Sequence, residues 1–246
     1  MPIHEGASTE FGAAMRAHLE QAEERNGAAL DTVAEHLLGA VRDDHLVHVG
    51  GTGHSTAQLL ETFYRAGGLA CVRPLHHAGL SPLEGGMAST LLERTPGLAA
   101  TILANAAPRA GDVGVVFSNS GTNPVPVELA EGLADAGCTV VSVCAMPHLR
   151  AASPRAHRKL DEVVHVVLDT GVPYGDAGYR ADDGQETAAL SSLTSVYLWD
   201  LLLARLADRA AGAGVALPLW QSANTPGGGE RNQGIAARYR GRIPQV

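Results

Sequence analysis

Apolar residues recur at helical spacing from Phe11 to Val41 (Phe11, Met15, Leu19, then Leu30, Val33, Leu37 and Val41), with Ser8 and Thr9 placed to cap the series. Asn26 and Gly27 interrupt it, so the pattern predicts either one long helix or a helical hairpin broken there. Beyond Arg42 the period changes. Five β-branched runs of strand length follow: His45 to Gly50, Leu69 to Leu75, Asp112 to Ser118, Thr139 to Ala145 and Glu162 to Asp169. Helical stretches such as TAQLLETFYRA and PVPVELAEGLADA lie between them. Strand alternating with helix predicts a doubly wound α/β fold, a five-stranded parallel sheet covered on both faces in a three-layer α/β/α sandwich.

After the fifth run the pattern turns to a glycine-rich loop, TGVPYGDAGYRADDGQE, and then to a long apolar helix from about Thr187 to Ala210. The tail mixes a glycine run with a short helical piece carrying four arginines, a pattern usual for solvated faces. No internal repeat and no clear linker interrupt the chain. The expectation is one domain over residues 1–246, with its core at about 31–210, an N-terminal helical arm over 8–42 and a C-terminal tail over 218–246.

Bulk properties narrow the function. A chain of 246 residues is long enough to bury roughly 70–75% of its unfolded surface, so a full core is expected. No apolar run approaches the roughly 18 residues of a membrane span, and MPIHEGASTE has no secretory pattern, which predicts a cytoplasmic protein with no membrane partner. Cys71, Cys138 and Cys144 form no CxxC and are odd in number, as suits buried thiols in a reducing compartment. A formal net charge of −8 argues against nucleic acid as a partner. Lys159 is the sole lysine and stands in a basic stretch, which disfavours Schiff-base chemistry.

Two polar loops carry the candidate chemistry. GGTGHS follows the first strand, and SNSGTN follows the third, each leading into a helix. Ligands of open parallel sheets bind at the carboxyl ends of the strands, where backbone NH groups, short hydroxyls and a helix N-terminus suit a phosphate. The plain alternative is a turn followed by a cap, with Asn123 directly before Pro124. A dinucleotide site wants a third glycine and an acidic residue about 20 positions on; Ser55 or Thr56 stands at the first place and RPLHHAG ends the second strand. No GK[ST] of a P-loop occurs.

The pair GTGHS and FSNSGTN, each between a strand and a helix, resembles the sugar isomerase (SIS) family of phosphosugar-binding domains. The resemblance runs from about Asp31 to Ala210 and includes LSSLTSVYLWDLLLARL, similar to the Ser/Thr-rich start of the family's last helix. It is nearest to bacterial single-domain SIS proteins labelled phosphosugar or phosphoheptose isomerases. It implies a flavodoxin-like sheet of SIS type, a sugar phosphate as the small-molecule partner, and a homo-oligomer, dimer or tetramer, with composite sites. Carried over by position, Gly53 and Ser55 form the first half of the phosphate cup, and Ser118, Asn119, Ser120, Gly121, Thr122 and Asn123 the second. His54 and Ser191 are further substrate contacts.

Moving a carbonyl along a sugar phosphate needs a base for the adjacent proton and donors for the enediolate oxygens. The loop PLHHAGLSPLEGG supplies Glu84 as the expected base and His77 as a helper in ring opening, because the resemblance puts a catalytic histidine after the second strand. The bland reading of Glu84 is a surface residue capping the next helix, and of His76 and His77 ordinary loop histidines. Phosphoheptose isomerases carry metal-binding His and Glu where this chain has Glu61 and Arg65, an i,i+4 ion pair on the plain reading, so no metal and no redox cofactor is expected. Tyr174 and Asp176 either close over the sugar or form a turn. Arg231, Asn232 and Arg238 either reach a neighbour's site or line an exposed helix. Lyase or etherase chemistry and a non-catalytic phosphosugar sensor are the competing functions.

Overall fold

A computed structural model describes the backbone of residues 5–246 and the side chains of residues 10–246. The long apolar series forms one uninterrupted helix, α1 (Glu5–Arg42). Asn26 explains why it does not break. Its Nδ2 donates to the carbonyls of Ala22 (2.6 Å) and Asp169 (2.8 Å), and its Oδ1 accepts from the Asp169 amide (2.7 Å), so the apparent breaker pins the helix to the end of the fifth strand. The caps expected at Ser8 and Thr9 fall on side chains outside the described residues, in a helix that already runs from Glu5.

Strands β1 (Val47–Gly51), β2 (Val72–Leu75), β3 (Val113–Phe117), β4 (Thr139–Cys144) and β5 (Val166–Asp169) make a parallel sheet in the order β2-β1-β3-β4-β5. Between them run α2 (Thr56–Thr62), α3 (Gly86–Glu93), α4 (Leu98–Ala106), α5 (Pro124–Asp135) and α6 (Met146–Ala151). The period-2 alternation of the strands sends side chains to two faces. Val47, Val49, Val113, Val115, Phe117 and Val143 pack with Leu30, Val33 and Leu37 of α1. Val116, Val140 and Cys144 face Ile102 of α4 and Leu129 and Leu133 of α5. Each fully buried aliphatic side chain stabilises by roughly 1.5–3 kcal/mol, so these two layers hold the sheet rigid beneath its loops.

Three stretches differ from expectation. The glycine-rich loop contains an antiparallel hairpin of β6 (Ala177–Arg180) and β7 (Glu186–Ala189), and the last long helix, α7 (Ser191–Ala213), therefore starts at Ser191 and not near Thr187. Lacking a buried apolar face, those short strands have no alternation to read. The tail forms α8 (Gly228–Tyr239), whose Arg231 and Arg238 are exposed as the pattern predicts, while its other face docks: Ala236 and Tyr239, with Ile243 beyond the helix, are buried in the α1/α7 core. Some of its polar residues are engaged within the chain: Arg238, and Arg242 beyond the helix, pair with Asp44 at 2.7 and 3.0 Å, and Asn232 bonds both backbone groups of Gln221. Among the described residues no helix is long and apolar enough to cross a membrane.

Candidate functional site

The sheet order puts the change of winding between β1 and β3, whose ends lie side by side with Gly51 opposite Phe117. The chain leaves β1 toward α2, whose Leu59 joins the α1/α7 core, and leaves β3 toward α5 on the opposite face. A cleft must open where two neighbouring strands send their connections to opposite layers. It has a volume of about 270 Å³.

The first loop is a tight 3-10 turn over Gly53–Ser55. A side chain on Gly51 would run into the Ser55 carbonyl, and Gly53 has φ +56°, so both glycines are required by geometry. In the second loop Gly121 has φ +60°, and a Cβ there would lie 2.5 Å from Leu149 and 3.2 Å from Leu160. The Ser118 hydroxyl accepts from the Gly121 amide at 3.2 Å, and the Thr122 carbonyl accepts from the amides of Arg155 and Ala156. No acceptor among the described residues takes the amide protons of Asn119, Ser120, Thr122 or Asn123. These four amides precede the twelve-residue helix α5, whose N-terminus carries the positive end of the helix dipole.

The predicted residues divide. Gly53, His54, Ser55, Ser118, Asn119, Ser120, Asn123, Asp176 and Ser191 all line the cleft. The Oδ1 of Asn119 is buried with no hydrogen-bond partner among the described residues. Thr122 is fully buried, turns its hydroxyl to Ser120 (3.3 Å) and, like Gly121, does not line the cleft, so both serve the shape of the loop. Asn123 has the backbone of an N-cap, but its side chain does not cap: Nδ2 donates to Glu93 Oε1 at 2.6 Å, and Oδ1 accepts from Arg155 at 3.2 Å. Asp176 receives the amides of Leu190 and Ser191 and the Ser191 hydroxyl at 2.6–3.1 Å, capping α7 with its carboxylate.

Other candidates stand apart. Glu84 ends an exposed 3-10 turn, Pro82–Glu84, outside the cleft, and His76 and His77 lie outside it as well. Tyr174 is exposed and stacks on His148, with ring centroids 4.8 Å apart. Burial lowers the pKa of that histidine, with a smaller contribution from Arg155. Glu61 and Arg65 form the i,i+4 ion pair. Reasoning from the sequence passed over Glu93 and Gln58, which also line the cleft. No lysine or arginine is among its lining residues.

A parallel α/β/α sandwich with two glycine-shaped, amide-rich loops at its switch point is the architecture of phosphosugar-binding domains, and the family comparison agrees. The chain belongs to the SIS domain family, whose model matches residues 10–145 and so takes in both loops. Within it the chain groups with the UPF0309 proteins: it is 34% identical over 231 residues to those of Brucella canis and Brucella melitensis, covering 94% of this chain and 95% of each relative. Among solved structures, phosphoheptose isomerase of Neisseria gonorrhoeae superposes with a TM-score of 0.57 at 15% identity, over 84% of this chain and all of that one. The Vibrio vulnificus NanR protein complexed with ManNAc-6P gives 0.52 at 11% identity, over 98% of this chain and 71% of that one. At such identities the likeness establishes the fold.

Proposed function

We propose that this protein binds a sugar phosphate in the cleft between the β1 and β3 loops and interconverts its aldose and ketose forms through an enediolate. The observation that supports the reading is the set of unpaired amides on three cleft-lining residues, Asn119, Ser120 and Asn123, beside Ser55 and Ser118 in the same lining. A phosphate dianion needs several donors and supplies the anchorage that fixes the sugar's reacting carbons. Asn119 Oδ1 then accepts from a sugar hydroxyl. The fold likeness to a phosphoheptose isomerase and to a protein complexed with ManNAc-6P supports the ligand class.

The test is incubation with pentose, hexose, heptose and amino-sugar phosphates in heavy water, following deuterium entry at C2 by NMR beside calorimetric binding. Binding with exchange is expected for one class. Binding without exchange across the panel removes the isomerase and leaves a phosphosugar sensor; exchange accompanied by loss of a C3 substituent marks lyase chemistry instead.

We also propose that the chain works as a homo-oligomer. Leu83, Met87 and Leu91 recur every four residues along the turn before α3 and the helix itself, and all three are exposed, with Leu83 at 93%. A second copy covering this stripe buries it and brings the turn that ends at Glu84 into the contact. Light scattering on the wild type should give a multiple of 25.5 kDa, and Met87→Arg should give 25.5 kDa with unchanged circular dichroism. A monomeric wild type rejects the interface.

A further inference from the structure

We propose that Glu93 is the general base of this site, and that Asn123 and Arg155 are its positioning residues; the assignment rests on the isomerase reading above. Two carboxylates line the cleft, and their surroundings give them different work. Asp176 is surrounded by the N-terminus of α7, receiving three hydrogen bonds, so its lone pairs are directed away from a ligand. Glu93 closes α3 and receives one side-chain hydrogen bond, on Oε1, from Asn123 at 2.6 Å. Its Oε2 faces Gly53, lying 3.3 Å from the place a Cβ would occupy there. The carboxylate thus spans from the first phosphate loop to the last residue of the second.

Asn123 is buried at 8% exposure and is held at its other end, where Arg155 Nη1 donates to Oδ1 at 3.2 Å and to the Thr122 hydroxyl at 3.5 Å. Arg155 is in turn fixed by its own amide on the Thr122 carbonyl at 3.0 Å. A base oriented by a second group, itself oriented by a third, is the arrangement expected where a proton must be removed from carbon. His54, the other titratable side chain of the cleft, has no such partner: it is exposed and makes no side-chain hydrogen bond among the described residues. Glu84 lies outside the cleft altogether.

In the step assigned to it, Glu93 takes the proton from the carbon that bears the hydroxyl. The C–H electron pair becomes the carbon–carbon double bond, and the carbonyl pair moves onto oxygen. The hydroxyl proton passes between the two oxygens, and Glu93 returns its proton to the former carbonyl carbon. Atoms and oxidation level balance without a further reactant.

Four variants test this with the substrate that the wild type exchanges. Glu93→Gln should keep binding within a few-fold and lower C2 exchange by about 10²–10⁴-fold, the usual contribution of a general base. Asn123→Ala should lower kcat by at least about tenfold with KM nearly unchanged, a split that a purely structural loss does not give. Asn123→Asp brings a second carboxylate against Glu93 and should move the acid limb of kcat upward by about one pH unit or more. Exchange in Glu93→Gln within tenfold of wild type overturns the assignment and leaves the isomerase reading intact. So does turnover lost in Glu84→Gln but kept in Glu93→Gln. A wild type that binds but never exchanges overturns both.

Discussion

Asp112→Ala should destabilise the protein by about 2–6 kcal/mol, at roughly 1–3 kcal/mol for each of two buried hydrogen-bonding groups left without an acceptor, while leaving the shape of the cleft at the other end of the sheet intact. Asp112 stands just before β3 with a side chain 6% exposed and four groups around it. His48 Nε2, on fully buried His48, lies 2.9 Å away; the amides of Leu46 and Arg109 donate at 2.9 and 3.0 Å; and His45 Nδ1 is at 3.3 Å. Alanine leaves the buried Leu46 amide and His48 Nε2, and the part-buried Arg109 amide, without this acceptor. Burial alone would raise the carboxyl's pKa, but the hydrogen bonds from His48, Leu46 and Arg109 outweigh it and bring it down from 3.8 to about 2. A folded-state pKa below the unfolded one gives stability that is full above pH 3.8 and disappears as pH falls through about 2. The contribution is about 2 kcal/mol. Urea melts at pH 7 and pH 2.5 should show that loss in the wild type and a much weaker pH dependence in Asp112→Ala; equal slopes in the two proteins would rule it out.

Gly121→Val should abolish sugar phosphate binding and cost about 2–4 kcal/mol, by two separate routes. The left-handed backbone at φ +60° disfavours any side chain by roughly 1–2 kcal/mol and a β-branched one more. The new Cβ would then meet Leu149 and Leu160, both fully buried, adding overpacking of typically 1–3 kcal/mol. Relief requires the loop to move, and the amides of Ser120 and Thr122 on either side move with it. Titration calorimetry should find no heat with the wild-type ligand, while circular dichroism at 20 °C still reports a folded chain. Retained affinity would mean that the second loop does not hold the phosphate.

The strands and the two loops could be read from the sequence because each is local: β-branched runs bounded by glycine and polar turns encode their own geometry. The continuity of α1 could not be read, since Asn26 owes its place to Asp169, more than a hundred residues away. The same holds for the tail, where four arginines suggested a solvated face while Tyr239 and Ile243 enter the core. Glu93, which the fold brings into the lining of the cleft, gave no such signal. Along the sequence it is one more acidic residue ending an amphipathic stretch, and only the packing of α3 beside both loops brings it to Asn123. Arg155 likewise sits in a basic run that gives no hint of the one contact that matters.

A cleft whose walls carry no lysine or arginine, in a chain of net charge −8, has a kinetic consequence. For the sugar phosphate proposed above, this net charge is expected to repel at long range, so that attraction begins at hydrogen-bond range, where the ligand meets the loop amides. Capture is then slow at low ionic strength and quickens as salt shortens the reach of the repulsion. The fit of the loop amides discriminates among anions at contact, and a polyanion that makes only long-range contact gains nothing from this surface.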